Sequence, residues 1–191
     1  MFDNFLKEKS DFLSKTDKSK KGSIDGDIKK LISKINSSKD FYTTSSCAGR
    51  IVLLEMRSSK KYECHWILAE HRKVKFNEIF DALKNHKSNN EVWLKQQPLI
   101  LHVACRDLES AKRLLDSSRQ VFRRAGIIGI TERKIMIEII GSENLETLIK
   151  KGKIIPDEKY LKELVNAANW NFNENKKKIG KFLNIGIPPY L

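Results

Sequence analysis

Apolar residues recur at helical spacing at Phe2, Phe5, Leu6, Phe12 and Leu13, and again at Ile28, Leu31, Ile32 and Ile35, so two helices open the chain. Residues 16–27 between them are lysine, serine, aspartate and glycine with little else, which predicts a surface loop in which Asp25 or Asp27 caps the second helix. The small residues of 41–50 read as a tight loop leading into a β-hairpin of strands 51–56 and 62–69. Phe76, Ile79, Phe80 and Leu83 mark a short helix. Segments 92–95 and 99–105 read as strands separated at Gln97-Pro98, because proline cannot donate to a central ladder. After Asp107, a good N-cap, Leu108, Ala111, Leu115, Phe122 and Ala125 fall on one helix face, with Lys112, Arg119, Arg123 and Arg124 on the other. A second hairpin spans 127–140 around Thr131-Glu132-Arg133-Lys134. From Asp157 onward, Leu161, Leu164, Ala168, Phe172, Ile179 and Phe182 sustain a long amphipathic helix that Gly186 and Pro188-Pro189 end.

Helices and strands are grouped here, not regularly alternating. The expected architecture is therefore α+β, a single compact domain over 1–191 with a mixed β-sheet flanked by helices, and not a Rossmann fold. With 191 residues and 40% hydrophobic content, such a domain has enough apolar surface to close a core without disulfides or a structural metal.

Charge changes the picture of partners. The 37 Lys and Arg against 24 Asp and Glu leave a formal charge of +13, a field that gathers polyanions, with nucleic acid the first of them. Three widely spaced cysteines, Cys47, Cys64 and Cys105, form no disulfide framework and fit a reducing cytoplasm. No secretory leader stands at the amino terminus, and no apolar run approaches the roughly 20 residues of a bilayer crossing. The expectation is a cytoplasmic protein with no membrane partner.

Candidate chemistry concentrates in Ser45-Ser46-Cys47-Ala48-Gly49-Arg50. Small side chains let a ligand approach the main chain, and an arginine grips carboxylate or phosphate; the plainer alternative is a turn with a surface arginine. Cys47 as a nucleophile would need a base among His65, His71 and His102, and no spacing ties one to it. Zinc is not indicated, since there is no paired Cys-x-x-Cys. Lys18, Lys20 and Lys21 ahead of Asp25 have the composition of a phosphate grip beside a proton acceptor, or of a solvated connector with a capping aspartate. Trp66 and Tyr42 offer flat faces for an unpaired base; for Trp66 the alternative is a core aromatic. Neither a dinucleotide fingerprint nor a P-loop occurs.

Taken in order, Asp17-Lys18-Ser19, Lys21-Gly22, Ile24-Asp25, Tyr42, Ser45 to Arg50, Trp66, His71, Pro98, Leu101-His102-Val103, Cys105, Phe122-Arg123 and Gly126-Ile127 resemble the tRNA wybutosine-synthesizing protein 3 family over nearly the whole chain. Gln97, Val121 and Ala125 depart from that pattern. The resemblance implies an S-adenosyl-L-methionine-dependent methyltransferase with a fold of its own, acting on the N4 ring nitrogen of a 4-demethylwyosine-type guanosine derivative at position 37 of phenylalanine tRNA. On it, Asp25 and His71 are expected to handle the proton or orient the base. Ser45, Ser46, Cys47, Gly49, Arg50 and His102 are expected around the methyl donor or the reacting base. Lys18, Lys21, Trp66 and Arg123 are expected to contact RNA. The rival reading is a non-catalytic RNA-binding protein, for which charge and aromatics suffice.

Overall fold

A computed structural model describes residues 4–14, 25–57 and 63–186. The described residues group into two compact units: those within Met1–Ala48, Leu99–Ser142 and Lys176–Leu191 form the first, and those within Gly49–Pro98 and Glu143–Asn175 the second.

In the first unit, β1 (Phe41–Cys47), β5 (Ile100–Cys105), β7 (Ile135–Ile140) and β6 (Arg124–Ile130) form a sheet in the order β1-β5-β7-β6. All three ladders are antiparallel. Alternation sends Leu101, Val103, Ile137 and Ile139 to one face, where they pack with helices α2 (Lys29–Ser37) and α4 (Leu108–Arg119). Asp107 caps α4 as expected, its Oδ1 accepting the Ser110 N–H at 2.8 Å. On the other face Tyr42 and Ala104 are buried under Phe5 of helix α1 (Asn4–Leu13). Tyr42 is fully buried, with the tilted rings of Phe5 and Phe12 5.4 and 5.5 Å from its own, and donates its hydroxyl to Glu8 Oε1 at 2.9 Å. It has no face left for a base, which corrects the expectation of a stacking platform there.

In the second unit, β2 (Arg50–Met56), β3 (Cys64–Glu70), β4 (Glu91–Gln97), β8 (Leu145–Lys151) and β9 (Lys153–Ile154) lie in the order β3-β2-β4-β8-β9, again with antiparallel ladders. Its core joins Ile51, Leu53, Val92, Leu94 and Ile149 to α3 (Phe76–Asn85) and to Leu161, Val165, Ala168 and Phe172 of α5 (Glu158–Ile185). The last turns of α5 belong to the first unit, where Phe182 meets Phe122 edge-on at 5.7 Å.

The α+β class holds, but the single mixed sheet becomes two antiparallel ones. Two elements account for the change. Residues 41–47, with their hydroxyls, read as a loop but form a strand, because Phe41, Tyr42 and Thr43 are buried and paired. β8 escapes a pattern reading because its period-two signal, Leu145, Thr147 and Ile149, is short and sits among charged residues.

Glu55, on the inner face of β2, is 2% exposed yet carries a charge. Burial pushes its carboxyl up, but hydrogen bonds from Ser88, Arg57, Asn90 and His86 outweigh that and hold it down at about 2, against an ordinary 4.5. A depressed carboxyl stabilises the fold above its unfolded value and stops doing so as pH falls from 4.5 toward 2. Glu55→Gln is expected to cost about 3 kcal/mol at pH 7. The gap to wild type should narrow on acidification in urea titrations at pH 7, 4 and 3; a gap independent of pH would refute the carboxylate's role.

Candidate active site

The site begins with a bulge in β1. Thr43 lies opposite Val103 on the core face, and strict alternation would put Ser45 there too. The register shifts between Thr43 and Ser45, so Ser45 instead faces His102, and Cys47 faces Ile100, on the opposite side of the sheet. His102 in turn pairs with Glu138, and Glu138 with Gly126. Ser45, His102, Glu138 and Gly126 thus make one row across four strands, with directly paired side chains on a common face. His102 Nε2 lies 3.0 Å from Glu138 Oε1, both half-buried. A Cβ built on Gly126 would meet nothing within 4 Å, so the row opens onto space at that end. Ser46 sits opposite Leu101 and takes the core side, which separates it from Ser45 and Cys47.

Asp25 occupies the N-cap position of the short 3-10 turn Gly26–Ile28 but makes no capping bond with its side chain. Its Oδ2 accepts the Ala48 N–H at 2.9 Å, and a carboxylate oxygen lies within 4.8 Å of Cys47 Sγ. At 7% exposure it is a carboxylate drawn into the protein at the end of β1. The capping alternative for Asp25 is therefore set aside. Asp27 pairs with Lys176 at 2.8 Å. The thiols differ: Cys47 and Cys64 are half-buried, whereas burial pushes Cys105 up to about 12 and leaves it inert.

In the second unit, Gly49 has φ 104°, a conformation that side chains resist. A Cβ there would come within 2.9 Å of both the Gln97 carbonyl and Asn175 Nδ2. Gly49 is thus required by the protein's own backbone. Arg50 donates from Nε to Gln97 Oε1 at 2.6 Å, and its guanidinium lies 4.2 Å above the Trp66 ring. Trp66 remains 37% exposed. Stacking and the bond to Gln97 hold the guanidinium plane fixed. His71 is half-buried in the turn after β3; that segment is clamped to α5 because Val74 N–H donates to Asn169 Oδ1 at 2.9 Å and Val74 O accepts from Asn169 Nδ2 at 2.8 Å.

The predicted residues therefore fall into two groups. Asp25, Ser45, Cys47 and His102 share the first unit, and Gly49, Arg50, Trp66 and His71 the second. Arg123 is exposed just before β6, and Lys18 and Lys21 lie outside the described residues. Pattern reasoning missed Glu138 and Gln97. The available signal for Glu138 was a lone carboxylate inside the apolar run Ile135-Met136-Ile137-Glu138-Ile139-Ile140.

A model of the family described as methyltransferase TYW3 matches residues 5–185. The chain belongs to this family. TYW3 membership makes it a methyltransferase, and removes the non-catalytic reading. A relative in Mus musculus, named tRNA wybutosine-synthesizing protein 3 homolog, is 39% identical over 189 residues, covering 94% of this chain and 72% of the relative. A relative in Pyrococcus abyssi, named tRNA(Phe) 7-((3-amino-3-carboxypropyl)-4-demethylwyosine(37)-N(4))-methyltransferase 1, is 34% identical over 166 residues, 85% of each chain. Among solved structures, PH1069 protein from Pyrococcus horikoshii superposes with a TM-score of 0.87 at 32% identity, covering 97% of both chains. The fold is thus shared with that archaeal protein. No helix among the described residues is long and apolar enough to cross a membrane.

Proposed function

We propose that the chain methylates the N4 ring nitrogen of a 4-demethylwyosine-type guanosine at position 37 of phenylalanine tRNA, with S-adenosyl-L-methionine as donor, and that residues 1–191 work as one catalytic domain. The family match over residues 5–185, together with the substrate in the Pyrococcus abyssi relative's name, carries this reading. The chain crosses between its two units at 48/49, 98/99, 142/143 and 175/176, which argues against two separable modules.

The residues present fit the donor. Ser45, His102 and Glu138 supply a hydroxyl, an imidazole and a carboxylate in one row with open space at Gly126, a set suited to a cationic ligand that carries hydroxyls. When bound, S-adenosyl-L-methionine supplies an electrophilic methyl on a sulfonium. Everything else is positioning and one proton. As the ring nitrogen gains its methyl it must give up a proton, and we assign that proton to the Asp25 carboxylate, with His71 orienting the base. The Ala48 N–H fixes one oxygen of Asp25, so the carboxylate meets its substrate in a set orientation. Glu138 holds the His102 ring. Arg50, stacked on Trp66, serves the phosphate backbone beside the base, and Lys18, Lys21 and Arg123 are further contacts to it.

Incubation of the purified protein with labelled S-adenosyl-L-methionine and phenylalanine tRNA lacking the N4 methyl group should add one methyl to the tricyclic nucleoside, read by mass analysis of digested tRNA. An unchanged nucleoside would overturn the assignment. Arg50→Ala is expected to raise KM for tRNA roughly ten-fold or more, the weight of a charge-assisted hydrogen bond. Unaltered KM and turnover would remove Arg50 from the site.

A further inference from the structure

At the far end of the second unit's sheet from Arg50, a cavity of about 500 Å³ is lined by Lys84, His86, Lys87, Ser88, Asn89, Lys150 and Lys153, with Leu83, Gly152 and Ile154. Four lysines line it and no carboxylate does. Among the described residues none of the four lysines has a carboxylate within ion-pair distance, whereas neighbouring Lys151 is paired with Glu91 at 3.0 Å. Lys150 is unusual. It is only 5% exposed, and its ammonium donates to the His86 main-chain carbonyl. A buried cation satisfied by a carbonyl is a costly arrangement that keeps its positive charge uncancelled.

The cavity is a built feature. Glu55 binds His86 Nε2 at 3.2 Å and Asn90 Nδ2 at 3.1 Å, so its carboxylate anchors the 86–90 loop from beneath. Gly152, at φ 67°, makes the tight turn that returns Ile154 opposite Lys150 and Lys153 opposite Lys151, and Asn89 Oδ1 stands 3.5 Å from where its Cβ would be.

We propose that this pocket seats a phosphodiester group of the tRNA backbone, a second anchor remote from the reacting base. The inference rests on the reading of the chain as a tRNA methyltransferase. Four cations with Ser88 and Asn89 match a phosphate; no Phe, Tyr or Trp lines the cavity, and the one ring that does, His86, already stacks on His65 with centroids 6.2 Å apart. An RNA strand is long enough to reach this pocket from Arg50. β2 runs from Arg50, opposite Gln97, to Met56, opposite Glu91, and β8 brings Lys150 to that second end. Seven strand residues at about 3.3 Å each separate the ends by about 20 Å. A polyanion long enough to touch Arg50 and this pocket together is a nucleic acid strand; the methyl donor is far too short.

The test uses the full chain with Lys84, Lys87 and Lys153 all replaced by Gln, three exposed positions, beside a matched triple Arg variant. The Gln variant should bind phenylalanine tRNA at least ten-fold more weakly. Its plot of log affinity against log salt should be flatter by about 1, since one lost phosphate contact removes roughly 0.7–0.9 from the slope. KM for tRNA should rise by a similar factor, far more than kcat moves, and the Arg variant should recover most of the loss. Unchanged tRNA affinity and salt slope, with melting temperature intact, would overturn the proposal. So would loss of inorganic phosphate binding without loss of tRNA binding, which would mark a small-anion site. Direct binding keeps the two readings apart: wild type that methylates tRNA beside an unaffected Gln variant sinks the pocket alone. Wild type that binds tRNA through these lysines without methylating it sinks the proposed function alone.

Discussion

Asp25→Asn is expected to lower the rate of methyl transfer by about 10²–10⁴-fold, the range for removing a positioned general base. The affinity for tRNA should stay within about two-fold, because the amide keeps the shape of the carboxylate and its Oδ1 still accepts the Ala48 N–H. What the amide loses is the capacity to take a proton as the ring nitrogen is alkylated. Single-turnover assays with tRNA and donor both saturating isolate that step from binding. Equal losses in binding and turnover would show that Asp25 only shapes the end of β1.

Gly49→Ala should strongly destabilise the fold. Its φ of 104° lies where a side chain is strained, and the new Cβ would stand 2.9 Å from the Gln97 carbonyl and 3.3 Å from the Pro98 carbonyl carbon, main-chain atoms that cannot swing aside. Strain plus overlap is worth about 2–4 kcal/mol. For a chain of this size that lowers the melting temperature by on the order of 10 °C, measurable by calorimetry or circular dichroism. Displacing Gln97 would also disturb Arg50, which bonds to its side chain, so residual activity should show a raised KM for tRNA. A fully stable, fully active Gly49→Ala protein would refute the backbone role and return Gly49 to the donor site.

These two residues also divide what was legible. Asp25 and Gly49 stand out in the sequence as members of an ordered motif, but the motif says nothing of what either touches. Asp25 reads as a helix cap, since an aspartate ahead of an apolar helix usually is one; its actual partner is an amide 23 residues away. Gly49 reads as room for a ligand, and the atoms that fill the room are Gln97 and Asn175.

Local order was written in the chain by itself. The amphipathic period of α4 and its Asp107 cap, the β2–β3 and β6–β7 hairpins, the break at Pro98, the length of α5 and membership of the family all follow from residues near one another or from their order along the chain. Only the tertiary structure decided which side chains meet. One bulge at Thr44 turns Ser45 and Cys47 to the open face and leaves Ser46 on the core side. Strand order brings Glu138 to His102 across 36 residues and buries Tyr42 beneath α1. Periodicity reports the face a residue prefers within its own element; the residue opposite it is set by register and by long-range closure, which no local pattern encodes.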